Sequence, residues 1–198
     1  MRITIERVKP NRPKLMIAIP HYISPTEYLT IDRDNPIRHE YHHGLVYAMA
    51  GGSDAHARIV VNLLTLINPH LGGTSCRLYN GDVKVNYNED FYYYPDAFVT
   101  CDPRDREDRF IKRYPKLIAE VLSDSTEAFD SDLKFTDYQK LDSLEEYVLI
   151  CQDCQRVECR RRTGEDTWET TIYQTGDRVT LTSLDLEFDI DRLYLDID

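Results

Sequence analysis

The residues most able to do chemistry are two carboxylates in apolar surroundings. Glu120 lies inside Leu117-Ile118-Ala119-Glu120-Val121-Leu122, a run bounded by Pro115 and Ser123. A charged Glu in the middle of a buried strand is costly unless it is paired or holds a metal. Asp96 follows Pro95 within the aromatic and β-branched run Tyr92 to Val99. Two carboxylates on adjacent strands can bind Mg²⁺, which takes oxygen ligands and keeps several waters. Such an ion polarises a phosphoryl oxygen and generates hydroxide for in-line attack. A lysine close by would stabilise negative charge or acidify the attacking water. Each residue also has a plainer role. Asp96 can close a turn with its own backbone, and Glu120 can pair with an arginine.

The elements that must position these acids follow from caps and periodicity. Residues 1–23 read as an arm broken by Pro10, Pro13 and Pro20, and residues 24–198 as one domain. Ser24-Pro25-Thr26-Glu27 predicts a helix start, with a Ser cap, Pro in the first turn and Glu at the third position. The helix should end near Asp32. Arg38 to Ala50 alternates around His43-Gly44 and predicts a hairpin carrying Glu40 on its first strand. Ser53-Asp54 caps a second helix, with Ile59, Val60, Leu63, Leu64 and Ile67 at helical spacing. Cys76 to Tyr87 and Tyr92 to Cys101 read as two strands, with Pro95 marking an edge or bulge. Asp102 to Arg113 reads as a charged loop. Asp130 caps a third helix, from about Ser131 to Leu141. Tyr147 to Cys151 and Arg156 to Arg161 form a hairpin, which Trp168 to Tyr173 and Val179 to Leu181 extend. Leu186 to Asp198 ends the chain as a short helix or strand. This order predicts an α/β or α+β domain, with helices flanking a single mixed β-sheet.

Tyr94-Pro95-Asp96, then Ile118-Ala119-Glu120-Val121-Leu122-Ser123, Ser125-Thr126, Asp130…Lys134-Phe135…Tyr138 and Leu144…Glu146-Tyr147, resemble the Uma-type family of proposed endonucleases. The resemblance continues upstream through Glu40-Tyr41…Gly44, Met49-Ala50-Gly51-Gly52-Ser53 and His56, and covers roughly residues 24–195. That family is assigned to the restriction-endonuclease-like superfamily, whose site motif is written PD-(D/E)-x-K. The resemblance implies a restriction-endonuclease-like core with an N-terminal helix-hairpin extension. It also implies Mg²⁺-dependent (or Mn²⁺-dependent) phosphodiester hydrolysis of nucleic acid, DNA foremost, by a chain that works as a homodimer. Asp96 and Glu120 would be the metal ligands, with the backbone carbonyl of Val121 as a third.

One position departs from the motif. The lysine should stand two residues after the Glu on the same strand face, and that position is Leu122. The resemblance moves the lysine to Lys134 on the following helix. Lys84 is a second candidate, since Asp82-Val83-Lys84 puts an acid and a base on one face of a neighbouring strand. Glu40 would be an accessory acid that orients Lys134 or a water. His56 could approach the same site or a phosphate. The plainer readings are an exposed Lys134, a capping His56 and a solvent-facing Glu40. Leu122 also leaves room for a catalytically silent relative that serves as a binding or assembly module.

Composition narrows the remaining classes. The chain has 198 residues, 41% hydrophobic and 30% charged, enough for one core. With 35 acidic and 24 basic residues the net charge is −11, which argues against histone-like coating of nucleic acid. A local basic patch or a bound metal can still work within a negative surface. No apolar run approaches the ~20 residues of a membrane helix, and the first 20 residues do not read as a signal peptide. The expectation is therefore a cytoplasmic chain with no membrane partner, whose 5 cysteines are reduced. Cys151-x-x-Cys154 with Cys159 lacks a fourth zinc ligand and reads as a plain turn. The 14 tyrosines could stack on bases but fit packed sheets better. Arg160-Arg161-Arg162 reads as a solvated strand end.

Overall fold

A computed structural model describes residues 22–49, 51–123 and 129–197. Most of the N-terminal arm, and the Ser125-Thr126 part of the motif series, lie outside the described residues. The chain is a mixed α+β domain. Helix α1 (Pro25–Asp34) carries the capping box expected of Ser24 and Glu27. Strands β1 (His39–His42) and β2 (Leu45–Ala48) pair through a two-residue turn at His43 and Gly44, both at positive φ. Helix α2 (Asp54–His70) starts at the Ser53 cap and buries Ile59, Leu63, Leu66 and Ile67 on one face.

The next two runs each divide in the middle. The first becomes β3 (Arg77–Asn80) and β4 (Lys84–Tyr87), and the second becomes β5 (Phe91–Tyr93) and β6 (Ala97–Thr100). β4 pairs with β5 in one sheet, whereas β3 pairs with β6 in another. The chain crosses between sheets at Tyr94-Pro95-Asp96, where Pro95 has no N–H to continue a ladder. The loop after β6 contains a short 3₁₀ turn and β7 (Ile111–Lys112). β8 (Pro115–Leu122) is the expected buried strand.

A wide π-helical turn, Phe129–Lys134, leads into a single α-turn, α3 (Phe135–Tyr138). Asp130 lies inside this turn and does not cap a helix. β9 (Glu146–Cys151), β10 (Arg156–Arg162) and β11 (Trp168–Gln174) follow, then β12 (Arg178–Leu181) and β13 (Leu186–Asp189).

The strands divide among three sheets, where the sequence suggested one. Their orders are β2-β1-β5-β4-β7, β11-β10-β9-β8-β6-β3 and β12-β13. β12 therefore does not extend the β9–β11 sheet but pairs with β13. In the six-stranded sheet β8 and β9 are parallel, and the helical segment 129–138 crosses between them. Leu117, Ala119 and Val121 pack in one cluster with α2, while Ile118 and Leu122 pack with Phe98, Tyr138 and Tyr147 on the other face. By strand alternation Glu120 belongs to that second, aromatic face.

Two sequence expectations fail here. Cys76 and Cys101 are joined by a disulfide, and so are Cys151 and Cys154, leaving Cys159 as the free thiol. The first pairing follows from register, since Arg77 faces Thr100 and the next opposed pair outward is Cys76 with Cys101. The Arg160–Arg162 run is not a solvated end. Arg161 pairs with the buried Glu146, Arg160 donates to the Ser131 carbonyl, and Arg162 donates to the carbonyls of Gln139, Leu141 and Leu144. β10 thereby anchors both ends of the helical segment that carries Lys134. Among the described residues, no helix is long and apolar enough to cross a membrane.

Candidate active site

The site forms where the β6–β8 ladder stops. The last antiparallel pair at that end is Ala97 opposite Ala119, so Asp96 and Glu120 come next. There side chains take over from the backbone. The Asp96 N–H donates to Glu120 Oε2 at 3.2 Å, and the Val121 N–H donates to Asp96 Oδ2 at 2.8 Å. In an extended strand the N–H and C=O of one residue face the same edge, so the Val121 carbonyl faces the edge where Asp96 lies.

Glu120 is only 3% exposed, so its charge must be satisfied internally. Its Oε1 accepts from Lys134 Nζ at 3.2 Å and from the Tyr138 hydroxyl at 3.3 Å. Burial, together with the neighbouring acids, pushes its carboxyl well above the usual range against the opposing pull of Lys134.

Lys134 is equally buried, at 5% exposed. Its ammonium lies 3.1 Å from Glu40 Oε1, 3.2 Å from Glu120 Oε1 and 3.1 Å from Asp130 Oδ1. An ammonium carries three N–H donors and no acceptor, and three carboxylates face it. The Tyr93 ring closes another side, with its centroid 5.4 Å from Nζ. Burial alone would favour the neutral amine, but Glu120, Glu40 and Asp130 outweigh it and hold Lys134 well above its ordinary value.

Glu40 is fixed from two directions, since its Oε1 also accepts the Tyr94 N–H at 2.9 Å. His56 stands in the first turn of α2. Its Nε2 lies 2.9 Å from Asp96 Oδ1, and this bond raises its pKa against burial. Gly52 makes room for the ring, because a Cβ there would fall 2.9 Å from His56 Cδ2.

Asp96, Glu120, Lys134, Glu40 and His56 thus come together, but Asp82 and Lys84 do not join them. Asp82 lies in the turn between β3 and β4 and pairs with the exposed Arg38 at 2.8 Å. Lys84 pairs with Asp32 at 2.7 Å and lies over the Tyr94 ring. Its partner is therefore on α1. Sequence reasoning missed Asp130 as a site residue. Its spacing four residues before Lys134 was the available signal, but an Asp ahead of a helix reads equally well as a cap. The oxygen donors gathered here, from Asp96, Glu120 and the Val121 carbonyl, are the type that Mg²⁺ takes.

Residues 25–193 match the Uma2 family, described as "Putative restriction endonuclease". Two uncharacterised proteins of Synechocystis sp. (strain ATCC 27184 / PCC 6803 / Kazusa) are similar. The protein slr1290 is 40% identical over 173 residues, covering 87% of this chain and 91% of its own length. The protein sll1609 is 31% identical over 160 residues, covering 79% and 90%. The crystal structure of "a putative nuclease belonging to DUF820" from Anabaena variabilis superposes with a TM-score of 0.73 at 19% identity. The match covers 87% of this chain and 97% of that one, and it shows a shared fold. With the match extending over nearly the whole described chain, the protein belongs to the Uma2 family.

Proposed function

We propose that this chain is a Mg²⁺-dependent nuclease that hydrolyses phosphodiester bonds, with DNA as its first candidate substrate. One observation carries the reading: Lys134, displaced from the strand position of the superfamily motif, returns from the crossover helix to lie 3.2 Å from Glu120. Four carboxylates, Glu40, Asp96, Glu120 and Asp130, surround two basic groups, Lys134 and His56, so the cluster stays negative even with both bases charged. Oxygen donors with surplus negative charge fit a hard divalent cation.

Asp96, Glu120 and the Val121 carbonyl would hold Mg²⁺. Bound there, the ion supplies Lewis-acid polarisation of the scissile phosphate and acidifies the attacking water. The protein's own residues do the rest. Lys134 would turn one of its three N–H groups from Glu120 to the attacking water or to a non-bridging phosphate oxygen, where negative charge develops. Glu40 and Asp130 keep that ammonium charged and aimed, while Tyr138 steadies Glu120. His56 orients Asp96 through Oδ1 and leaves Oδ2 against Val121. The homodimer implied by the resemblance belongs to the same proposal and is read by sedimentation with and without duplex.

The test is cleavage of supercoiled plasmid, single-stranded DNA and RNA with Mg²⁺, Mn²⁺ or chelator, in wild type and in Glu120→Ala. Metal-dependent cutting that vanishes in the variant establishes the site. Equal cutting by the variant overturns it, and no cutting in any lane favours the catalytically silent reading.

A further inference from the structure

A second group of ligating side chains lies beyond Tyr93, outside the acidic site. One ring nitrogen each from His42 and His43 and one Asp137 oxygen all fall within 4.8 Å of one another. His42 Nδ1 lies 2.9 Å from Asp137 Oδ2, and the Tyr93 hydroxyl donates to the same oxygen at 2.6 Å. Lys140 holds the other oxygen, Oδ1, at 2.9 Å. Tyr93 separates the two groups, with its ring facing Lys134 and its hydroxyl facing Asp137.

We propose that His42, His43 and Asp137 form a binding site for a late first-row divalent cation such as Zn²⁺, Ni²⁺ or Co²⁺, distinct from the Mg²⁺ site. Two imidazoles and one carboxylate are the donors such ions take, whereas Mg²⁺ prefers oxygen alone. The geometry is within reach. Bonds of 2.0–2.1 Å at a tetrahedral centre put donor atoms about 3.3 Å apart. His42 and Asp137 need open by only a few tenths of an ångström, and His43, exposed on its turn, can swing inward. Water fills the remaining position. His42 Nδ1 also lies 2.8 Å from the Tyr93 hydroxyl, so coordination through Nδ1 replaces the proton between it and Asp137 or Tyr93 by the cation, and that proton leaves to solvent.

The site would also have a mechanical effect. Glu40 and His42 lie on one face of β1, two residues apart, and Lys134 and Asp137 lie one turn apart on the crossover helix. A cation on His42 and Asp137 therefore clamps the same two elements that Glu40 and Lys134 join.

The experiment titrates Co²⁺ into metal-stripped protein under excess Mg²⁺, following the visible d–d bands and thermal unfolding. The proteins compared are wild type, His43→Asn and Glu120→Gln. Asn tolerates the positive φ of position 43, so that variant keeps its turn. The expected result is one equivalent bound in wild type without a thiolate charge-transfer band, and a midpoint raised by several degrees. His43→Asn should lose affinity tenfold or more and show no rise, while Glu120→Gln binds like wild type. The proposal is overturned if wild type does not bind, if His43→Asn binds equally well, if Glu120→Gln abolishes binding, or if a thiolate band appears.

Discussion

Lys134 Nζ lies 3.2 Å from Glu120 Oε1, although the superfamily motif would place the lysine at residue 122, on the strand itself. Leu122 instead packs with Tyr138, Leu144 and Tyr147 beneath the crossover helix. The helix supplies the ammonium and the strand supplies the apolar floor beneath it.

Lys134→Met should lower cleavage by about two to three orders of magnitude, the usual loss when a transition-state donor is removed. Adding Leu122→Lys to that variant should recover part of the rate, because position 122 lies on the same strand face as Glu120. Plasmid nicking rates for the single and double variants read this directly, and a double variant no faster than Lys134→Met refutes it.

Asp96→Asn should leave the fold nearly intact, since the Val121 N–H can still donate to the amide oxygen. A stability loss of about 2 kcal/mol is expected, since the amide weakens the charge-assisted bonds to the Val121 N–H and His56. Mn²⁺ affinity, measured calorimetrically, should fall by tenfold or more together with cleavage. Unchanged Mn²⁺ binding would remove Asp96 from the ligand set.

Asp32 predicts part of the acid limb of stability. Burial raises its pKa, but hydrogen bonds from Lys84, Tyr94 and the His39 N–H outweigh it, so the folded value lies below the ordinary carboxylate range. A depressed folded pKa stabilises fully above the unfolded value and loses that stability as pH falls through the folded one. Asp32→Asn should therefore cost about 3 kcal/mol near neutrality, since it leaves Lys84 without its buried partner. Urea unfolding of the variant should also depend less on pH between about 5 and 2, the window in which native-state carboxylates titrate.

The Cys76–Cys101 disulfide spans a sequence separation of 25. Closing a loop of that size stabilises by roughly 3 kcal/mol in the chain-entropy account. Reductant should lower the urea midpoint accordingly, and Cys76→Ser with Cys101→Ser should remove that part of the response, leaving only the contribution of the short Cys151–Cys154 loop. Cleavage under native conditions should persist, because the disulfide joins the outer ends of β3 and β6, away from Asp96.

Much of this architecture was legible in local sequence signals. The Ser24 capping box, the His43-Gly44 turn, the Ser53 cap and the apolar run around Glu120 each encode their own element. Glu120 stood out because burying a carboxylate demands a reason. What stayed hidden depends on pairing between distant segments. The crossing at Tyr94-Pro95-Asp96 leaves only a proline as its trace, and nothing in residues 178–181 says that their partner is 186–189 and not β11. Asp130 was misread because a cap and a buried ion pair ask for the same residue type at nearly the same place. Lys84 was misread because strand alternation gives a face but not the neighbour across it.

The four acids and the lysine of the proposed site enter the chain at 40, 96, 120, 130 and 134. Synthesis from the N-terminus delivers Glu40 and both candidate metal ligands before the ammonium exists. The crossover helix is itself held by Arg160 and Arg162, so its placement waits for β10. A growing chain on the ribosome is thereby kept without the complete proposed site until about four-fifths of the protein has been made.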